Sequence, residues 1–264
     1  MAFHPRTAIV TGSESGIGRA TALALAEAGM DIGVTWRRSA ADAEETARAG
    51  RDLGRGACVA ALDASDPGCG EIIDGLIAEL GGVDVFVNNA GTGGSSLLLD
   101  TPWAEWRHVM AVDLDGPFLL LQRAARAMVA AQRGGRLIAV TSVHEHQAGH
   151  GAGVYDAAKH GLGGLMKTFA LELGRYGITA NCVAPGEIAT AMNGLEGADV
   201  NRLARPGIPL GRPGDPREVA AAIAYLASES AGYITGTSLV VDGGMLQMGP
   251  QAGSAITSDA WRGR

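Results

Sequence analysis

Short, nearly continuous apolar runs alternate with longer amphipathic stretches almost from end to end of this chain. The runs at 7–11 (TAIVT), 31–36 (DIGVTW), 57–62 (ACVAAL), 83–87 (VDVFV), 136–141 (RLIAVT), 178–183 (ITANCV) and 238–241 (SLVV) predict about seven buried strands. Between them, the patterns at 16–28, 40–53, 70–80, 103–132, 153–174 and 216–228 predict helices. Strands that are apolar on both sides and separated by such helices imply a parallel sheet covered on both faces. With right-handed crossovers, that is a doubly wound, Rossmann-like α/β fold. No repeat period and no linker-like shift in composition divides the chain, so 1–264 reads as one domain.

Two segments break the rhythm. Residues 185–213, rich in Gly and Pro, lie between a strand and a helix, and an insertion of that length is expected to serve as a lid or binding loop. Residues 245–264 follow the last strand without periodicity, either as a frayed terminus or as a tail that reaches a neighbouring subunit.

Composition narrows the class. Forty of the 264 residues are glycine, roughly twice the usual share. They follow no collagen period, and 47% of residues are hydrophobic, which excludes both collagen and bulk disorder. A net charge of −7 gives no general attraction to nucleic acid or to an anionic membrane. No signal-peptide pattern opens the chain, and no run approaches the roughly 18 apolar residues of a membrane span. A cytoplasmic location is therefore expected. Cys58, Cys69 and Cys182 form no C-x-x-C pair and read as small buried hydrophobes.

The candidate chemistry lies where strands end. The first predicted strand runs into TGSESGIG at 11–18, with Gly12, Gly16 and Gly18 beside Ser15 and Ile17, and then into a helix. Glycines there allow close backbone approach, and the helix N-terminus offers free N–H groups and a positive dipole to a pyrophosphate. Taken alone, G-x-x-x-G-x-G is equally well a structural turn. Asn88, Asn89, Ala90 and Gly91 end the fourth strand, where small residues and amides can line a cofactor groove. Asp63 ends the third, either accepting the adenine amino group or serving as a turn residue. The second strand ends at Trp36 without the acid that an NAD-preferring site places on the ribose 2′-hydroxyl. Arg37 and Arg38 follow instead and suit a 2′-phosphate, favouring NADP(H) over NAD(H), although Glu14 opposes that phosphate and solvated arginines are the bland alternative.

Tyr155 and Lys159 are four residues apart on a predicted helix and so share a face, and Ser142, at a strand end, can reach the same crevice. A free tyrosine with a pKa of ~10 is a poor base, and bringing it to about 7 takes ~4 kcal/mol. A lysine cation at ~4 Å supplies about that much in an effective dielectric of ~20. The pair therefore suffices for acid–base work beside a hydride donor.

With the glycine loop, NNAG at 88–91, Ser142, YDAAK at 155–159, PG at 185–186 and VDGG at 241–244, the chain resembles the short-chain dehydrogenases/reductases over roughly residues 6–245. The resemblance implies that Tyr155 protonates a carbonyl oxygen or deprotonates an alcohol, that Ser142 orients that oxygen, and that Lys159 assists Tyr155 and binds the nicotinamide ribose. It places Asn89 near the cofactor's ribose, Pro185 and Gly186 along the groove, Ile188 on the nicotinamide amide and Thr190 near the carboxamide or phosphates. Asp113 stands where the family usually has asparagine and is expected to be a relay member, with an ionised side chain able to blunt Lys159. The S-V-H-E stretch at 142–145 resembles that of sugar dehydrogenases, including glucose 1-dehydrogenases, which makes His144 and Glu145 substrate-contact candidates, with Met192 in the lid. No metal site is expected. The resemblance further implies a small-molecule substrate and a homotetramer assembled through the helices at 103–132 and 153–174. Gly161, Gly163 and Gly164 would permit close approach there. Within the class, a general ketone reductase competes with a sugar or polyol dehydrogenase and with a 3-oxoacyl-carrier-protein reductase, for which Arg123, Arg126 and Arg133 form a candidate docking patch. A catalytically silent nucleotide sensor on the same fold is the reading from a different class.

Overall fold

Apolar side chains on both sides of each strand require helices above and below, and the computed structural model, which describes residues 3–94 and 96–249, has that form. Strands β1 (Thr7–Val10), β2 (Asp31–Trp36), β3 (Ala57–Ala61), β4 (Val85–Asn88), β5 (Gly135–Val140), β6 (Ile178–Pro185) and β7 (Ser238–Val241) make one parallel sheet in the order β3-β2-β1-β4-β5-β6-β7. The helices are α1 (Gly16–Glu27), α2 (Ala40–Asp52), α3 (Cys69–Leu80), α4 (Trp103–Met110), α5 (Gly116–Ala131), α6 (Gly153–Leu173) and α7 (Pro216–Ala227).

Alternation along the strands sorts the core into two layers. Ile9, Phe86 and Leu137 pack with Ile73, Leu120 and Leu162 from α3, α5 and α6. Ala8, Val10, Val87 and Ile138 face the opposite way, onto Leu25, Ala47 and Ile223 from α1, α2 and α7. Strand order reverses at β1, with Val10 opposite Val34 on one side and Val87 on the other. Connections leave in opposite directions there, so a crevice opens beyond the carboxyl ends of β1 and β4.

The helix expected over 103–132 is interrupted. A π-helical turn at Ala111–Asp115 separates α4 from α5. Pro117 follows and has no N–H to give the carbonyl of Asp113 four residues back, while Gly116 passes so close to the Ala64 carbonyl that a Cβ there would collide with it. Two of the glycines read as helix-interface residues instead serve packing within the chain. A Cβ at Gly161 would meet Leu114, and one at Gly163 would meet the carboxyl of Glu145; only Gly164 faces open space. The three cysteine thiols are free and buried, and burial pushes Cys58 up to about 11 and raises Cys69 and Cys182 as well. Among the described residues, no helix is long and apolar enough to cross a membrane. Of the expected tail at 245–264, residues 250–264 lie outside the described residues; its first residues form a short 3-10 turn, Met245–Gln247.

Candidate active site

A crevice of about 830 Å³ runs over the carboxyl ends of the strands and gathers nearly all the expected site residues into one wall. At one end, β1 passes into the glycine loop. Thr35 Oγ1 accepts from Gly12 N–H (3.0 Å), Thr11 Oγ1 accepts from the amides of Asn89 and Ala90 (both 2.9 Å), and the Asn89 side chain donates to the carbonyls of Thr11 (2.9 Å) and Gly12 (3.1 Å). These bonds tie the loop to the ends of β2 and β4. The first turn of α1 carries no acidic residue, and the Ser15 side chain makes no cap bond. Its N–H groups are thus available to an anion, and Ser15, Gly16 and Ile17 line the crevice at that point. Gly16 adopts φ 54°, and a Cβ there would press to 3.2 Å on the Thr190 methyl, which closes over the loop. Backbone donors, a positive helix end and a glycine-lined approach fit a dinucleotide pyrophosphate. Gly18 does not line the crevice: it lets α1 pack on the Gly12 carbonyl and the Asn89 amide, so its contribution to a cofactor site is through the loop's shape.

Beside the glycine loop, Arg37, Arg38, Asp63 and Glu14 line the wall together. Arg37 Nε lies 3.4 Å from Asp63 Oδ2, and the Arg37 backbone amide donates to Glu14 (3.3 Å). Asp63 also accepts from the Ser65 hydroxyl and amide, which hold its carboxyl below the usual range ahead of the weaker pull of Arg37. Arg38 makes no ion pair among the described residues and is exposed.

At the other end stand Ser142, Tyr155 and Lys159. Ser142 leaves β5 in extended conformation, and its Oγ accepts from the His144 amide at 3.2 Å, which leaves its hydrogen free to be donated. Tyr155 lies in the first turn of α6 and Lys159 one turn on, with Lys159 Nζ 5.3 Å from the Tyr155 ring centre. Lys159 is 3% exposed, and Asp113, fully buried on the π-helical turn, comes within 3.4 Å of its Nζ. Burial disfavours the lysine charge, yet Asp113 and then Tyr155 override it and raise Lys159 above its ordinary range. Burial pushes the Asp113 carboxyl up, against Lys159 and the Thr92 amide that donates to it at 2.7 Å. Asp113 therefore sits behind the crevice wall, gripping Lys159 from beneath.

The family described as Enoyl-(Acyl carrier protein) reductase matches residues 11–246 of this sequence. An uncharacterized oxidoreductase, YohF of Escherichia coli (strain K12), is 48% identical over 247 residues, covering 93% of this chain and 98% of that protein. The crystal structure of acetoin dehydrogenase YohF from Salmonella typhimurium superposes with a TM-score of 0.90 at 48% identity, covering 94% of this chain and 98% of the other. The 3-oxoacyl-[acyl-carrier-protein] reductase FabG of Escherichia coli (strain K12) is 39% identical over 247 residues, 93% of this chain and 99% of that one. The chain belongs to the short-chain dehydrogenase/reductase family. It is an oxidoreductase acting on CH–OH groups, in a family that uses NAD(P).

Within this short-chain dehydrogenase/reductase, the residues read as substrate contacts diverge. His144 lines the crevice, edge-on to Tyr155 with ring centres 5.6 Å apart. Glu145 turns the other way. It is 7% exposed and accepts from the hydroxyls of Thr141 (2.6 Å) and Ser238 (2.9 Å), in the space left by Gly163, so the expectation of a substrate contact from Glu145 is not met. Ala90, Gly91, Pro185, Gly186 and Ile188 line the groove, and the Ile188 carbonyl accepts from Asn193 (2.8 Å). Met192 stands largely exposed at the mouth. Two further residues brace the site without a motif to announce them. Thr92, whose amide fixes Asp113, carries no sequence signal; Asp156, inside YDAAK, accepts from Gly149 N–H (3.0 Å) and meets His144.

Proposed function

We propose that this enzyme transfers hydride between NADP(H) and a carbonyl/alcohol pair, with Tyr155 as general acid in reduction and general base in oxidation. The observation that carries the reading is the meeting of Ser142, Tyr155 and a buried, ion-paired Lys159 at one end of a crevice whose other end is a pre-set anion loop. The nicotinamide supplies or accepts the hydride. Ser142 donates its free hydrogen to the substrate oxygen and orients it. Tyr155 gives that oxygen its phenolic proton, and the Lys159 ammonium stabilises the phenolate left behind. Asp113 holds Lys159 in place and shares its charge. Ile188 and Thr190 position the nicotinamide end, Asn89 the ribose region, and Asp63 the adenine. Residues 185–213 act as the substrate lid.

NADP(H) is favoured because Arg38 is exposed and makes no ion pair among the described residues, Arg37 is only loosely paired with Asp63, and Glu14 turns its carboxylate toward the Arg37 amide. Arg38→Ser is expected to lower kcat/KM with NADPH about tenfold relative to NADH, the scale of one lost charge-assisted contact.

Similarity to an acetoin dehydrogenase at 48% identity supports a small hydroxyketone or diketone as substrate. Val143 and Met192 supply apolar walls beside Ser142 and His144. The FabG relationship supports a second reading, a 3-oxoacyl-carrier-protein reductase. The candidate docking patch argues against it, since Arg123 pairs with Asp74 (2.7 Å) and Arg133 with Asp84 (3.0 Å). Exposed Phe118 on α5 and Leu171 on α6 support assembly into a homotetramer, which light scattering would report as four chain masses. A panel of hydroxyketones, diketones, sugars and 3-oxoacyl thioesters, each assayed with NADPH and NADH, tests the function. Turnover of a small hydroxyketone or diketone with NADPH is expected; no carbonyl turned over, or better turnover with NADH, would overturn the activity or the cofactor preference respectively.

A further inference from the structure

The geometry points to Asp156 as a positioning residue that sets the tautomer of His144 and thereby makes His144 Nε2 a hydrogen-bond acceptor for a hydroxyl on the carbon beside the reacting one. It rests on the carbonyl/alcohol reading above.

Asp156 is buried immediately after Tyr155, and its two oxygens have separate tasks. Oδ2 accepts from the backbone N–H of Gly149 at 3.0 Å, and Oδ1 lies 2.8 Å from His144 Nδ1. The imidazole is held on its other sides as well. Its ring meets Tyr155 edge-on at 76°, its backbone amide is tied to Ser142 Oγ, and a Cβ at Gly149 would collide with Cε1. The two atoms lie off hydrogen-bond geometry, but a carboxylate oxygen this close repels a bare ring lone pair, so the hydrogen belongs on Nδ1. In the neutral ring, Nε2 is then left as an acceptor. Nε2 lies across the ring from Asp156, on a side chain that lines the crevice between Ser142 and Tyr155. A substrate whose carbonyl oxygen rests on Ser142 and Tyr155 can donate a neighbouring hydroxyl to it. An α-hydroxyketone satisfies this; its methyl ether cannot.

Asp156→Asn is a sharp perturbation because Gly149 N–H still requires an acceptor. The Asn carbonyl takes that bond, which turns the amino group toward His144 Nδ1 and drives the ring hydrogen to Nε2. The donor–acceptor sense toward substrate is thereby reversed without removing either side chain.

The experiment has two arms. ¹⁵N NMR of the imidazole in the free protein, at mildly alkaline pH, should show His144 as the Nδ1–H tautomer and Asp156→Asn as the Nε2–H tautomer; an Nε2–H ring in the parent protein overturns the proposal. Paired kinetics then compare an α-hydroxyketone with its methyl ether. The ratio of their kcat/KM values should fall about tenfold in Asp156→Asn and in His144→Ala, the scale of one lost hydrogen bond. Asp156→Asn should change the ratio no further in the His144→Ala background. Ratios unchanged in both single variants, with the parent active, overturn it. If neither ketone is turned over by the parent, the function reading fails, while the NMR arm still decides whether Asp156 sets the tautomer. Should Asp156→Asn fail to fold, His144→Ala alone carries the kinetic arm.

Discussion

Tyr155→Phe is expected to lower kcat by about 10²–10⁴-fold, the usual worth of a positioned general acid or base. The phenolic hydroxyl is the only group lost. The ring that His144 meets edge-on and that lies 5.3 Å from Lys159 Nζ is retained, so thermal stability should hold. KM for substrate and cofactor should change little, because the proton moves only as the hydride does and the hydroxyl's contribution is concentrated in the transition state. Steady-state kinetics beside a melting curve checks both expectations. Full carbonyl-reductase activity in the variant would remove Tyr155 from the proposed mechanism.

Lys159→Met should damage stability and activity together, by different routes. The side chain is nearly isosteric, but Asp113 is left as an uncompensated carboxylate with no exposure to solvent. Breaking a buried pair from one side costs about 3 kcal/mol or more. Because Lys159 has its pKa raised in the folded protein, its stabilisation is fully present below the unfolded lysine value of ~10.4 and is lost as pH rises through the folded value. The stability gap between parent and variant, read from urea unfolding, should therefore hold at neutral pH and close in strong alkali. Toward acid the variant should recover, since burial already pushes the Asp113 carboxyl up and loss of Lys159 removes the main opposing charge. Adding Asp113→Asn to Lys159→Met should restore most of the stability. It should not restore kcat, expected to fall about 10²-fold or more without a cation beside Tyr155. Recovery of activity in the double variant would show that Lys159 matters only for folding.

The architecture was largely legible in the chain because its signals are local. Doubly apolar runs such as 85–87 and 137–139 can only be interior strands, the spacing of Tyr155 and Lys159 forces them onto one helical face, and glycines before α1 announce a close backbone approach. The crevice accordingly gathers Gly12, Gly16, Asn89, Ser142, Tyr155 and Lys159, as expected from sequence. What sequence could not decide is which way a polar side chain turns once its neighbours are in place. His144 and Glu145 are adjacent on one short turn, yet the first faces the crevice, while the second turns inward to the hydroxyls of Thr141 and Ser238. Both hydroxyls and the gap left by Gly163 come from other elements, and no periodicity records them. Asp113 was expected near Lys159 from the family resemblance, but not its place on a π-helical turn, and the Asp156–His144 contact is accompanied by a bond to a loop amide at Gly149. Sequence determined the scaffold and the meeting of Ser142, Tyr155 and Lys159 in one crevice through local patterns such as backbone periodicity. Partner choice among buried polar groups was decided by tertiary structure, because a buried donor or acceptor must be satisfied by whatever packing brings beside it.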